Sequence, residues 1–274
     1  MEQLPESLPS LEFRGLFAGH GRGDTVNYNR NPQDRSPYGS MSYKRTVCIE
    51  GEAYLKRVKK MIRIFLVRHG QTAWNKEEVF RGTADIPLND FGRKQAREVG
   101  KKLKSLGLRD SLLISSPLAR AKETAEIIGG FILSKQVRIE QDFTDTNFGE
   151  WQGKAKKVIE RLYPELYHKW LTDPASLVLP GGEVLESVAT RAKAALYRLA
   201  WDCREHDLII VSHRVVNKVL LCCLLGAELN SFRKIKQATA CINILDYDGL
   251  SFIIRTLNDT CHLLPLEQDD TTDF

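Results

Sequence analysis

No stretch of this 274-residue sequence is apolar for long enough to cross a bilayer, and its first residues lack the basic-then-apolar pattern of a secretory signal. A membrane partner is therefore not expected, and the expected location is the cytoplasm. Paired Cys-x-x-Cys spacing is also missing. The six cysteines are Cys48, Cys203, Cys222, Cys223, Cys241 and Cys261, with no histidines at zinc-finger distance. No structural metal is expected, and Cys222 and Cys223, inside the apolar stretch 219–225, read as small buried hydrophobes with reduced thiols. Charge of one sign is in short supply as well. The formal net charge is only +5 and the basic residues are spread out, which suits an anionic small molecule better than a nucleic-acid groove. No internal repeat is visible. What is there, 42% hydrophobic and 27% charged residues, is the composition of a globular chain able to bury a full core.

Apolar residues are scarce between Gly19 and Ser42, a segment rich in Gly, Arg, Asn, Asp, Pro and Ser that cannot bury enough surface to offset its ordering entropy. Residues 1–60 are expected to form a disordered or loosely attached extension, 61–266 one domain, and 267–274 a short acidic tail. Met61 stands one residue ahead of the first expected strand. It or Met41 is a candidate natural start, in which case deleting residues 1–60 leaves activity and melting temperature unchanged. Arg22-Gly23-Asp24 matches an adhesion tripeptide, which in a chain without an export signal reads as chance.

The rest is organised around Ile62-Arg63-Ile64-Phe65-Leu66-Val67, an apolar run that stops at Arg68-His69-Gly70. Such a run predicts a buried strand whose end delivers two polar side chains to a crevice. An arginine beside a histidine there suits an anionic group that is also attacked, because guanidinium grips phosphate oxygens in a fixed fork and neutral imidazole is a nucleophile near pH 7. A strand end with two solvated polar residues is the alternative. Downstream, a helix is predicted from a cap at Asn89 or Asp90 to Gly107, and a strand over Leu112-Leu113-Ile114. Ser115-Ser116-Pro117 reads as the start of a helix carrying Arg120, with a serine cap and proline at its first position. Gln136 to Glu140 reads as a third strand, a helical region extends to about Leu171, and a long helix runs from about Glu183 to Arg204. Leu208-Ile209-Ile210-Val211 is a second apolar run, ending at Ser212-His213 and followed by a helix over 215–225. Ala240 to Tyr247 and Ser251 to Thr256, joined at Asp248-Gly249, predict a closing hairpin. This alternation implies an α/β three-layer sandwich: a mainly parallel sheet with helices on both faces and one catalytic edge.

Four segments occur in a telling order: Leu66-Val67-Arg68-His69-Gly70-Gln71-Thr72 with Trp74-Asn75, Ser115-Ser116-Pro117-Leu118-Ala119-Arg120-Ala121, Phe148-Gly149-Glu150-Trp151, and Ser212-His213. In these segments, over about residues 62–264, the chain resembles the histidine phosphatase superfamily, which includes the cofactor-dependent phosphoglycerate mutases and many small phosphatases. The resemblance implies that His69 attacks phosphorus and holds the phosphoryl group, and that Arg68, Arg120 and His213 surround its oxygens. It implies no metal and no cofactor, and a small phosphorylated metabolite as the partner, with a homodimer as the one candidate protein assembly. Taken singly, Arg120 could be a helix-surface arginine and His213 a packed core histidine.

The leaving alkoxide needs a proton, and a water must later be activated; one carboxylic acid can do both in turn. The family places a glutamate four residues before the glycine of its Phe-Gly-x-Trp motif, and here that position is Asp145. Glu150 and Asp142 are the other candidates in the loop. After His213, where most relatives have glycine, this chain has Arg214. Three placements are open: it points away, it enters the pocket as a further phosphate ligand, or it crowds the pocket. By resemblance Asn75 lies near the phosphate, and Arg81 with Gly82 falls where relatives touch substrate, although Arg81 could equally be a surface arginine. Glu183 matches a recurrent Pro-Gly-Gly-Glu motif or serves only as a helix-start carboxylate. Trp151 reads as core and Lys156-Lys157 as a solvated face.

The mutases carry a longer insertion that closes the pocket, whereas only 27 positions separate Gly153 from Pro180, and Gln71-Thr72 replaces the mutases' Glu-Ser pair. The reading is thus hydrolysis of a small phosphomonoester, with a phosphoglycerate mutase as first alternative and a weakly or non-catalytic phosphoester-binding protein as second.

Overall fold

A computed structural model describes residues 61–266 except 109–110, 133 and 135. The expected extension at 1–60 and the acidic tail at 267–274 lie outside the described residues.

Six strands form one mixed sheet in the order β3-β2-β4-β1-β5-β6, where β1 is Ile62–Arg68, β2 Leu112–Ser115, β3 Val137–Ile139, β4 Leu208–Ser212, β5 Ile242–Tyr247 and β6 Phe252–Asp259. The first four strands are parallel, and the closing hairpin adds β5 and β6 antiparallel beside β1. β1 and β4 are central and covered on both faces, which is why both read as continuous apolar runs rather than alternating ones. Their alternate residues feed two cores. Ile62, Ile64 and Leu66 join Leu208 and Ile210 on one face, and Phe65 and Val67 join Ile209 and Val211 on the other. Arg63 is the exception in the run, and it donates from Nε and Nη2 to Asp207, just before β4, at 3.0 and 2.6 Å.

The helices are α1 (Ala73–Lys76), α2 (Asp90–Ser105), α3 (Ala119–Ile132), α4 (Lys156–Leu162), α5 (Pro164–Thr172), α6 (Leu185–Asp202) and α7 (Arg214–Leu225). α2 and α3 supply the core on one face, and α5, α6 and α7 that on the other. The cap of α2 is Asn89, whose side chain accepts from the Gly92 N–H at 2.8 Å. Cys222 is fully buried as expected, and burial pushes its thiol up to about 11. Trp151 is also fully buried, in an aromatic cluster with Phe80, Phe148 and Trp170.

Two boundaries differ from the sequence expectation. α3 starts at Ala119 rather than at Ser116-Pro117, and its first N–H is capped from another segment by Asp85 Oδ1 at 2.6 Å. α6 starts at Leu185, because Glu183 is drawn into a bidentate pair with Arg191 at 2.8 and 2.9 Å. Among the described residues, no helix is long and apolar enough to cross a membrane.

Candidate active site

Three parallel strands end together, and their ends build the site. Arg68 pairs with Ser212 in the β1–β4 register and Ser115 with Val211 in the β2–β4 register. The residues just beyond, His69, His213 and Ser116, therefore arrive side by side at the carboxyl edge of the sheet, where open α/β sheets bind ligands. The His69 N–H donates to the Ser212 carbonyl at 3.0 Å, and the two imidazole centroids lie 5.2 Å apart. Both rings are fully buried.

His69 Nδ1 lies 2.7 Å from the Gly70 carbonyl. A carbonyl only accepts, so Nδ1 carries the hydrogen and Nε2 keeps its lone pair. Nε2 is buried and makes no hydrogen bond. Burial first, then the fields of Arg120, His213, Arg68 and Arg81, hold the ring well below the ordinary histidine value, so it is neutral. Gly70 can be nothing larger: an added Cβ would meet the Gly92 carbonyl oxygen at 2.5 Å, where the loop after β1 abuts the start of α2. The Gly70 N–H donates to Thr124 Oγ1 at 3.1 Å, tying that loop to α3.

Arg120, on the first turn of α3, has no exposed surface. Its guanidinium donates to the carbonyls of Ala84 at 2.8 Å and Gly82 at 2.7 Å, and to Asp145 Oδ2 at 2.9 Å. Gly82 thus helps to hold Arg120; its φ of +54° and the Gln152 side chain beside it favour glycine. Arg68 is buried and donates to the Gln237 carbonyl.

Asp145 is buried against Arg120 and His213, its other oxygen accepting from the Thr146 N–H at 3.0 Å. Burial alone would push the carboxyl up, but the facing His213 ring, the guanidiniums of Arg120 and Arg81 and the Thr146 N–H outweigh it and hold the group below the usual carboxylate range. The other two acids of the loop are elsewhere. Glu150 is exposed and accepts from Tyr163 OH at 3.3 Å, while Asp142 pairs with Arg198 at 3.5 Å.

His213 Nε2 lies 2.7 Å from Ser116 Oγ, which also accepts from the Leu118 N–H at 3.4 Å. The serine hydroxyl then donates to Nε2, and Nδ1–H stands 3.6 Å from Asp145 Oδ2. Burial, only partly offset by Asp145, keeps this ring neutral as well. Ser116 was read from sequence as a helix cap; its hydroxyl serves a histidine 97 residues away.

The other expected side chains, Asn75, Arg81 and Arg214, are all buried. Asn75 is buried, with Oδ1 accepting from the backbone and hydroxyl of Thr72 at 2.9 Å, so its Nδ2 donor remains for a ligand oxygen. Arg81 is not a surface arginine: it is 6% exposed, and its Nε and Nη1 make no hydrogen bond. Arg214, at the first position of α7, is 7% exposed and lines a small cavity with Arg81 and Asp145.

A neutral imidazole with a free Nε2 lone pair, among buried guanidiniums, can attack a phosphorus whose oxygens those guanidiniums hold. The sequence profile of the histidine phosphatase superfamily (branch 1) matches residues 64–260. The chain belongs to this superfamily. Phosphoserine phosphatase 1 of Hydrogenobacter thermophilus is 30% identical over 203 residues, covering 74% of this chain and 95% of that protein. Phosphoglycerate mutase-like protein 4 of Arabidopsis thaliana is 31% identical over 203 residues, covering 73% and 86%. Among solved structures, phosphoserine phosphatase from Entamoeba histolytica in complex with 3-phosphoglyceric acid superposes with a TM-score of 0.66 at 26% identity, covering 74% of this chain and all of that one. The histidine phosphatase fold and membership of this class of phosphatases are thus shown for this chain.

Proposed function

We propose that the chain hydrolyses small phosphomonoesters through a phosphoryl group carried on His69 Nε2. The observation that carries this reading is the buried Nε2 lone pair, with its tautomer fixed by the Gly70 carbonyl and guanidiniums on its flanks. In the first step Nε2 attacks phosphorus, an N–P bond forms and the P–O bond to the alcohol breaks. Arg68, Arg120 and neutral His213, with Asn75, hold the equatorial oxygens as charge develops on them. Asp145 protonates the departing oxygen and, in the second step, takes a proton from the water that attacks the phosphohistidine.

Asp145 is ionised in the free enzyme, so the proton enters with the substrate. A phosphomonoester monoanion delivers it, and the phosphate's own charge offsets the guanidinium field that kept Asp145 ionised. Ser116 acts through His213, whose orientation it sets.

Hydrolysis is favoured over mutase chemistry by what fills the stretch between Gly153 and Pro180. Its helices α4 and α5 pack Ile159, Tyr167 and Trp170 into the core, and so are wall rather than lid. Thr72 is likewise occupied, its hydroxyl donating to Asn75 Oδ1, and Gln71 Oε1 accepts from Asn89. Free cysteines at 203, 222, 223, 241 and 261 support a cytoplasmic location.

The test is hydrolysis of p-nitrophenyl phosphate in EDTA, together with acid-labile phosphate on the enzyme after mixing. Turnover that is abolished, with the labelled phosphate, by His69→Asn is the expected result. Turnover that survives this substitution would refute the nucleophile, and isomerisation of 3-phosphoglycerate without release of phosphate would favour the mutase.

A further inference from the structure

Asp145 belongs to a stretch, residues 144–147, that is neither helix nor strand. An aspartate side chain is short and has few rotamers, so the position of its backbone decides where its carboxyl can reach. That backbone is gripped from both sides by a segment far away in sequence. Upstream, Arg191 of α6 donates from Nη1 to the Asp142 carbonyl at 2.6 Å. Downstream, the Glu183 N–H donates to the Asn147 carbonyl at 2.8 Å. The two grips are joined, because Arg191 Nε and Nη2 donate to the two carboxylate oxygens of Glu183 at 2.8 and 2.9 Å.

These contacts close a ring that runs from Asp142 through Arg191 and Glu183 to Asn147, with Asp145 on the segment that completes it. The turn before Glu183 braces the downstream side: Asn147 Nδ2 donates to the Gly181 carbonyl at 3.0 Å, and the Glu150 N–H donates to the Pro180 carbonyl at 3.2 Å. Inside the ring, Phe143 is fully buried and its carbonyl accepts from Ser212 Oγ at 3.2 Å, one residue before His213. A guanidinium suits the central place, since its planar fork can spend two donors on a carboxylate and still offer a third to a carbonyl, which a lysine's point charge does not match. The side chains of Arg191 and Glu183 are each 21% exposed. An ion pair so open to solvent adds little to global stability, so what the pair supplies is geometry.

We propose that Glu183 and Arg191 are positioning residues for the general acid, holding the 142–147 segment so that the Asp145 carboxyl reaches the leaving oxygen. The proposal rests on the reading of Asp145 as that acid, and its test separates the two. A reacting group misplaced by about 1 Å can cost about a hundredfold, so opening the ring should slow the step that needs the Asp145 proton and spare one that does not. The full chain and its Arg191→Gln, Glu183→Ala, Arg198→Gln and Asp145→Asn variants are mixed with phenyl phosphate, whose phenolate leaves poorly without a proton, and with p-nitrophenyl phosphate, whose nitrophenolate leaves unaided. Release of the alcohol in the first turnover is timed by rapid quench, and melting temperature is recorded. R198Q is the control: Arg198 is also on α6 and pairs with the Glu140 and Asp142 side chains, outside the ring.

R191Q and E183A should each slow the first turnover of phenyl phosphate by about tenfold or more and that of p-nitrophenyl phosphate by less than about twofold, with little change in melting temperature. The double variant should be no slower than the slower single one, because either change opens the ring. R198Q should leave both esters unaffected, and E183A provides the same reading should R191Q fail to fold. Equal slowing of both esters in R191Q and E183A, no slowing of either, or the same difference between esters in R198Q would overturn the positioning role. If D145N shows the difference between esters and R191Q and E183A do not, only the positioning role falls. If D145N shows no difference, or neither ester is hydrolysed by the unmodified protein, the reading of Asp145 falls and the positioning role with it.

Discussion

Replacing Asp145 with asparagine separates the two chemical steps. The asparagine oxygen can still accept from Arg120 Nη2, which is 2.9 Å from the carboxylate, and Arg120 keeps its two carbonyl acceptors, so the pocket should keep its shape. The proton and the negative charge are lost. A positioned general acid or base is worth about a hundredfold to ten-thousandfold, or ~3–5 kcal/mol of barrier. With an alkyl phosphate the alkoxide needs that proton, so the first step should slow by this factor and no phosphoenzyme should accumulate. With p-nitrophenyl phosphate the leaving group departs unaided, and only the second step suffers. Rapid-quench measurement should then show a burst of nitrophenolate equal to the enzyme concentration, a slow steady state, and phosphate trapped on His69. Equal losses on both substrates without a burst would refute the assignment of Asp145, and intact turnover would refute it outright. Loss of the buried charge among guanidiniums should also lower stability by about 3 kcal/mol, read by urea unfolding.

The pH dependence follows from the same fields. Because Asp145 is ionised and His69 neutral in the free enzyme, kcat/KM should hold level below about pH 6 and fall above it as the substrate monoanion disappears; a fall as the pH is lowered from about 6.5 would show that His69 is protonated there. Both site histidines bind protons less well folded than unfolded, so the unfolded chain holds more protons below its histidine pKa. Stability should therefore decline as pH drops below about 6.5, less steeply in His69→Asn. Gly70→Ala forces a Cβ against the Gly92 carbonyl oxygen at 2.5 Å and should cost about 1–3 kcal/mol in urea unfolding, along with activity. Ser116→Ala leaves His213 Nε2 without its donor and should lower kcat about tenfold with little change in KM, the signature of a positioning residue. Glu150→Gln, on the exposed side of the loop, should stay within about twofold in kcat.

What could be read from the chain alone depended on whether a residue's partners are near it in sequence. β1 and β4 were legible because strands buried on both faces must be apolar throughout, and the closing hairpin because β6 alternates between half-buried and exposed positions. Asn89 was legible as a cap because its acceptor role is local. Ser116 misled for the same reason in reverse: a serine before a proline has the local chemistry of a helix cap, and nothing nearby reveals that its hydroxyl is claimed by His213. The burial of Arg81 and Arg214 was also invisible. An arginine looks alike on a surface and in a pocket, and only the convergence of α7 with the loop after Phe80 decides between them.

The neighbouring registers of β1 and β4 place His69 beside His213 through backbone hydrogen bonds rather than through the choice of side-chain rotamer. The two halves of the pocket are thus contributed by segments more than a hundred residues apart in the chain, and neither exists as a site until the central strands have paired. No fragment ending before β4 can hold a phosphoryl group in this way. Recovery of turnover during refolding should consequently coincide with pairing of the central strands, which makes enzymatic activity a readout of that pairing.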